Sequence, residues 1–296
     1  MFPRVQRISK QQPLRAVFDP VSSRGKNVIR LFAQNESDSW VFPVLYEDDH
    51  FLALDKMTHM AVTHSQLFPE RPSLFELIRH AIDSRARWVE KRNINYLGFA
   101  YRLDFETSGI SLFCKSNEAR QRIGDLLGAS QEKREFLCLV HGSPQEETFE
   151  VDAKIGWVTG EPEIMVAGKR GKFASTKFEV VERLAGFTLL RCLPSTDRKH
   201  QIRAHLQHAG LPPVGDAYYG GSLLMLSRLK KNYRPRRDGT EKPLLDRAAL
   251  HYAKLKFEHP FTDDAVEIEC GLAKDMEVAL KYLRKYATGI GAGPVD

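Results

Sequence analysis

The chain has only four cysteines in 296 residues, Cys114, Cys138, Cys192 and Cys270, and no CxxC pair. A zinc ribbon and a dithiol redox motif are therefore disfavoured. Three of the four lie inside apolar runs, as free thiols buried in a reducing cytosol do. No run of about 18 apolar residues exists, so no membrane-spanning helix is expected. The start lacks the apolar core and small-residue cleavage site of a secretory signal. No internal repeat is present. His200, His205 and His208 are spaced five and three apart, which matches neither HExxH nor the usual finger pattern, and no metal is expected there. These absences leave a cytoplasmic globular protein.

What is present is ordinary in amount and biased in sign. Apolar residues make up 42% and charged residues 28% of the chain, as in soluble domains. The net charge is +6, which permits an anionic partner, nucleic acid being the commonest. Residues 1–40 hold scattered basic residues and little periodicity, and read as a basic N-terminal extension in which only "NVIRLF" suggests a strand. A mitochondrial transit peptide reads similarly, but a basic arm is preferred. A single catalytic-type domain is expected over 41–288, and 289–296 reads as a disordered tail. A basic insertion covers 221–243, and within it "RLKKNYRPRR" carries Arg228, Lys230, Lys231, Arg234, Arg236 and Arg237 with one tyrosine and no acid. That composition suits a loop gripping RNA phosphates.

The patterning predicts α+β structure. "VLYEDDHFLALDK" reads as a turn with two aspartates followed by an alternating strand, where ordered structure is expected to begin. "SLFELIRHAIDSRARWVEK" reads as one helix opened by a Ser73–Glu76 capping box. "GISLFCKS", "REFLCLVHG", "TFEVDAKIGW", "STKFEVVERL", "GFTLLRCL", "LHYAKLKFEHP" and "AVEIEC" read as strands. "NEARQRIGDLLG", "HQIRAHLQHAG" and "MEVALKYLRKYA" read as helices. Strands outnumber helices without strict alternation, which argues for a largely antiparallel mixed sheet with flanking helices.

One stretch resists a packing account. In "YRLDFETSGISLF" a carboxylate, Asp104, stands at the mouth of a strand that reads as buried. Charged groups are seldom buried without a partner. If the piece is extended, Arg102 and Asp104 share one face and Leu103 the other. Two further segments are as rich in polar residues: "DRKHQIRAHLQHAGLPPVGDAYYG" and "RAALHYAKLKFEHPFTDD".

Together these segments resemble the pseudouridine synthases of the RluA type. That family carries HRLDxxTSG, GRxHQIRxHL…GDxxYG and RxxLHAxxLxFxHP in this order. Here the matching residues are Arg102-Leu103-Asp104 with Thr107-Ser108-Gly109; then Arg198, His200-Gln201-Ile202-Arg203, His205-Leu206, Gly215-Asp216 and Tyr219-Gly220; then Arg247, Leu250-His251, Phe257 and His259-Pro260. The likeness runs from about residue 44 to 270. It implies a synthase-like catalytic domain with a central cleft and isomerisation of uridine in ribosomal or transfer RNA. It also implies no metal and no organic cofactor. A monomer is the simpler expectation.

By motif position, the resemblance makes Asp104 the reacting carboxylate and Arg203 the cation beside it. A carboxylate in a dry pocket tends to gain a proton, and a neighbouring arginine keeps it ionised. Arg102, Phe136, Thr107, His200 and Gln201 are carried over as substrate-binding positions. Phe136 stands where the family has tyrosine: it keeps a face on which a flipped base can stack and lacks the hydroxyl. Tyr101, Asp197 and Met57 also depart from the family's His, Gly and Pro, and no S4-like module is recognisable near the start. These departures keep a second reading open, a catalytically inactive RNA-binding protein on the same scaffold. A small-substrate glycoside hydrolase would leave the basic segment without a use.

Overall fold

The computed structural model describes residues 27–34, 38–64, 70–129, 134–158, 161–234 and 238–287. Residues 1–26 of the expected basic arm, Arg236, Arg237 and the expected tail at 289–296 lie outside the described residues.

The chain opens with β1 (Val28–Phe32), β2 (Ser39–Glu47) and β3 (Phe51–Lys56), an antiparallel meander. "NVIRLF" is thus the source of β1, and the sheet reaches into residues counted with the N-terminal extension. The two-aspartate turn between β2 and β3 forms as its composition predicts. Asp48 Oδ1 accepts from the backbone N–H groups of His50 and Phe51 at 2.7 and 2.6 Å. Its other oxygen receives the Tyr46 hydroxyl and lies 3.1 Å from His259 Nε2.

Helix α1 (Leu74–Asp83) begins at Ser73 with both halves of the capping box made. The single helix expected over 73–91 is interrupted. Arg85 adopts φ 52°, and the chain restarts as α2 (Arg87–Lys91). Val89 of α2 joins the same apolar core as Leu74, Leu77 and Ile78. A two-residue strand, β4 (Gly98–Phe99), leads to the Asp104 segment and β5 (Ser108–Cys114). Then come α3 (Asn117–Ala129), β6 (Arg134–His141), β7 (Thr148–Asp152), β8 (Lys154–Val158), β9 (Glu161–Gly168), β10 (Ser175–Leu184) and β11 (Phe187–Pro194). Helix α4 (Gln201–His208) covers the HQIR segment, and a single 3-10 turn covers Ala217–Tyr219. The basic segment, expected to be all loop, starts inside a short helix, α5 (Leu226–Leu229), because Leu229 is buried under α6. The chain continues through β12 (Leu250–Glu258), β13 (Ala265–Glu269) and α6 (Lys274–Tyr286).

The main sheet runs β1-β2-β3-β5-β12-β6-β11-β10-β7, with β13 on β12 and β4 on β5. Among the described residues every pairing is antiparallel except β5 with β12, so the sheet is mixed but largely antiparallel, as predicted. Gly109 permits that one parallel contact. At φ +106° a Cβ there would sit 2.2 Å from the Tyr252 carbonyl oxygen, so no larger residue fits.

Alternation sorts the side chains to two faces. On one face Phe51, Ile110, Leu112, Phe136, Cys138 and Tyr252 form a core covered by α3, α4 and the β8–β9 hairpin. On the other, Leu52, Leu54 and Phe113 pack under α1, while Leu137 and Leu139 pack under α6. Every residue of β5 is buried, so the strand that follows Asp104 is clamped from both sides. All four cysteines are buried and free.

Candidate active site

Asp104 sits in a tight turn that opens β5. The Thr107 N–H donates to the Asp104 carbonyl at 3.1 Å, closing the turn. Two fully buried cations then hold the turn's backbone. Lys56 Nζ donates to the carbonyls of Met57 and Met60 at 3.0 and 2.8 Å and approaches that of Phe105 at 3.5 Å. Arg247 donates to the Glu106 carbonyl at 3.2 Å. Its charge is balanced by Asp275, held through Nε and Nη2 at 2.7 and 2.8 Å. The Glu106 carboxylate accepts from the Ala248 N–H at 3.1 Å. A buried ammonium without a carboxylate contact favours the neutral form, and burial accordingly pushes Lys56 down to about 7.

The opposite wall is the start of α4. His200, the residue before the helix, has φ 55°, a left-handed conformation uncommon for a non-glycine residue. It places the ring with Nδ1 2.9 Å from the Tyr219 hydroxyl and Nε2 3.8 Å from Asp104 Oδ1. Gln201 uses its amide on the scaffold: Nε2 donates to Ser175 O and Thr176 Oγ1, and Oε1 accepts from Thr196. Arg203 is the junction. Its Nε and Nη2 donate to the Asp216 carboxylate at 2.6 and 2.9 Å, and its Nη1 donates to Asp104 at 3.2 Å. The guanidinium also lies 4.7 Å from the Tyr219 ring centre. Asp216 is fully buried and Arg203 nearly so.

The electrostatics follow. Burial pushes the Asp104 carboxyl up; His200, when protonated, and Arg203 pull it down, and the attractions win. It stays below the ordinary carboxylate range. Burial also lowers His200, so that ring is neutral near pH 7 and Arg203 supplies the standing charge. Asp104 is thus an ionised carboxylate that remains partly accessible, with 22% of its side chain exposed.

A cleft of about 450 Å³, counting its open mouth, lies over this group. It brings together all seven side chains singled out from the motifs, Arg102, Asp104, Thr107, Phe136, His200, Gln201 and Arg203. Phe136 forms an apolar wall, stacked on Tyr252 at 4.2 Å between ring centres. Arg228, Lys230, Lys231 and Arg234 are exposed but do not line the cleft. Their segment is anchored by Leu224 and Leu229 in the core under α6, on the other face of the sheet from Phe136. Sequence reasoning missed Arg134. It lines the cleft nearly buried, with Nη1 3.3 Å from Asp197 and Nη2 donating to Thr196 O at 3.3 Å. The available signal was its place two residues before Phe136 on one strand, which gives both side chains the same face. Among the described residues no three His, Cys, Asp or Glu side chains are arranged to hold a metal ion.

Comparison with known proteins agrees with this geometry. The family described as RNA pseudouridylate synthase matches residues 50–208. Ribosomal large subunit pseudouridine synthase C of Salmonella typhi is 34% identical over 246 residues, which is 82% of this chain and 70% of that protein. An uncharacterized RNA pseudouridine synthase of Chlorobaculum parvum is 31% identical, covering 83% of this chain and 75% of its own length. Among solved structures, human RNA pseudouridylate synthase domain containing 4 superposes with a TM-score of 0.58 at 21% identity, over 81% of this chain and 92% of that one. The chain belongs to the RNA pseudouridylate synthase family. It is an enzyme of that class, an isomerase of uridine in RNA.

Proposed function

We propose that Asp104 is the single reacting carboxylate of this isomerase and that it acts on a uridine flipped into the cleft. The observation that carries this reading is the Arg203–Asp104 contact, which keeps a partly exposed carboxylate ionised inside an otherwise desolvated wall. The flipped uracil stacks on Phe136, which offsets part of the cost of leaving the RNA stack. Asp104 then assists cleavage of the bond between ribose carbon 1′ and uracil N1. The base turns, carbon 5 bonds to carbon 1′, the proton on carbon 5 leaves, and N1 gains one. Phe136 has no hydroxyl to take that proton. Asp104, neutral His200 and Asp197, which is paired with Arg134, are the bases that line the cleft.

Arg102, exposed at the cleft edge, is positioned to hold the nucleotide's backbone. Thr107 and Gln201 act through the turn and the helix start, because the Thr107 N–H closes the turn and the Gln201 amide is committed to the scaffold. The Salmonella relative is named for the large ribosomal subunit, so ribosomal RNA is the first substrate to test, with transfer RNA beside it. RNA labelled with tritium at carbon 5 of uridine is incubated with wild type and with Asp104→Asn. Release by wild type alone supports the reading. Equal release by the variant overturns the role of Asp104. An enzyme that binds both RNAs and releases from neither supports the inactive-scaffold reading instead.

A further inference from the structure

Two exposed aromatic residues outside the cleft's lining are joined to the segment that forms one of its walls. Trp157 of β8 is 63% exposed, and Phe173, on the approach to β10, is 57% exposed. Single exposed rings are ordinary on a protein surface, so the case for these two rests on what surrounds them. Both are tied to the cleft. Lys199 Nζ lies 5.2 Å from the Trp157 ring centre, and Lys199 stands between Arg198 and His200, which line the cleft. Arg198 Nε donates to the Phe173 carbonyl at 3.2 Å.

The surroundings are basic. Lys169, Arg170 and Lys172 are exposed in one turn, and no acid occurs between Ile164 and Ala174. Of the nearby carboxylates, Asp197 faces Arg134 at 3.3 Å, and Glu161 and Glu163 stand on β9, the strand paired with β8. The turn is also rigidly built. Ile155 and Lys172 exchange both backbone hydrogen bonds, at 2.8 and 2.9 Å. Gly171 has φ +109°, and a Cβ there would lie 2.1 Å from the Ile155 carbonyl oxygen. The turn is therefore closed tightly against β8 in a geometry that only glycine fits. Exposed rings and cations on a preformed backbone are the elements by which proteins hold single-stranded nucleic acid, the rings stacking bases and the cations holding phosphates.

We propose that Trp157 and Phe173 form a stacking platform for an unpaired nucleotide next to the target uridine, with Lys199, Arg170 and Lys172 holding the phosphates beside it. This rests on the isomerase reading and narrows its substrate class. The target uridine lies in a loop, bulge or single strand with at least one unpaired neighbour. A nucleotide stacked on both sides within a duplex offers no free face to the rings.

The test uses two end-labelled probes, a single-stranded RNA with one central uridine and the same strand fully paired to its complement. Affinities are measured by fluorescence anisotropy for wild type, Trp157→Ala, Phe173→Ala and Trp157→Phe, with thermal melts to verify folding. The single strand should bind about 5- to 100-fold more weakly to each alanine variant, and Trp157→Phe should recover most of the loss. Duplex affinity should stay unchanged. Folded alanine variants that bind the single strand as wild type does would overturn the platform. Tritium release by wild type, run in parallel, separates the two ideas. Release together with unchanged binding by the variants sinks the platform and leaves the isomerase. No release together with weakened binding sinks the isomerase and leaves the platform.

Discussion

Asp216 grips Arg203 along its Nε–Nη2 edge, at 2.6 and 2.9 Å, and so leaves Nη1 to face Asp104. Asp216 is a positioning residue: it touches the arginine and does not line the cleft. Asp216→Asn should take the doubly bonded carboxylate from a buried guanidinium, leaving it Asp104 at 3.2 Å and Glu106 at 3.8 Å, and cost roughly 1.5–3 kcal/mol of stability, read from denaturant unfolding. In the fraction that stays folded, kcat should fall while KM for RNA changes little, because Arg203 loses its aim and the RNA contacts remain. A fall in affinity with kcat intact would mean that Asp216 serves binding instead.

Asp104→Asn keeps the shape of the carboxyl group and removes its charge. Turnover should fall by roughly a thousandfold or more. RNA affinity should persist, since phosphate contacts dominate it and lie elsewhere. Gel-shift titration beside tritium release reads the two effects separately.

Phe136→Ala removes the wall on which the base is proposed to stack. Affinity for RNA containing the target uridine should drop by about 5- to 100-fold. Phe136→Tyr should bind as wild type does, and a change in its pH–rate profile would show that a hydroxyl at this place joins the proton transfer.

Much of this arrangement is readable in the chain. The turn around Asp48 and the strand after it, the capping box of α1 and the three polar segments each rest on local chemistry: a carboxylate that can cap a turn, a hydroxyl spaced three from a glutamate, polar residues that packing does not ask for. Arg203 meets Asp104 across a separation of 99 residues, and no local pattern encodes that distance. The resemblance supplied it. What stayed illegible depends on tertiary packing. The break at Arg85, a left-handed residue in a run without glycine or proline, has no local signal. Full burial of Lys56 reflects carbonyls collected from two separate loops. Trp157 reads as an ordinary strand residue until its exposure is seen.

His251 provides a pH dependence of stability with a definite sign. Arg247 donates to Ser108 Oγ, Ser108 lies 3.0 Å from His251 Nδ1, and His251 Nε2 lies 3.2 Å from the Cys270 carbonyl. The partners assign a neutral ring with its proton on Nε2. Burial pushes the folded-state value down to about 4, below the unfolded value of about 6.5. Between those values the unfolded chain binds the extra proton, so stability rises with pH across that window and is lost as pH falls through it. The loss should be on the order of 3 kcal/mol. Unfolding free energies at pH 4 and pH 7 should show it, and His251→Gln should flatten the difference.

The exposed cations of the 228–234 segment should act on binding alone. Replacing Arg228, Lys230, Lys231 and Arg234 with glutamine should lower the slope of log affinity against log salt by about 0.7 for each single-strand phosphate the segment no longer neutralises. Because these residues lie outside the cleft, single-turnover rates at saturating enzyme should not change. An unchanged salt slope would show that the segment does not touch RNA.

The one parallel pairing among the described residues joins β5 to β12, strands far apart in the sequence, so it can form only late in synthesis. His251 pairs with Ser108 and Tyr252 with Gly109, and Arg247 donates to the carbonyl of Glu106. On the ribosome, Asp104, Phe136, His200 and Arg203 all emerge before these partners do. The nascent chain thus carries the residues proposed to react while the turn that holds Asp104 is still unfastened. A shortened product ending before β12 would hold Asp104, Phe136, His200 and Arg203 but lack Leu250 of the cleft wall and the strand that fastens the turn, and it should release no tritium.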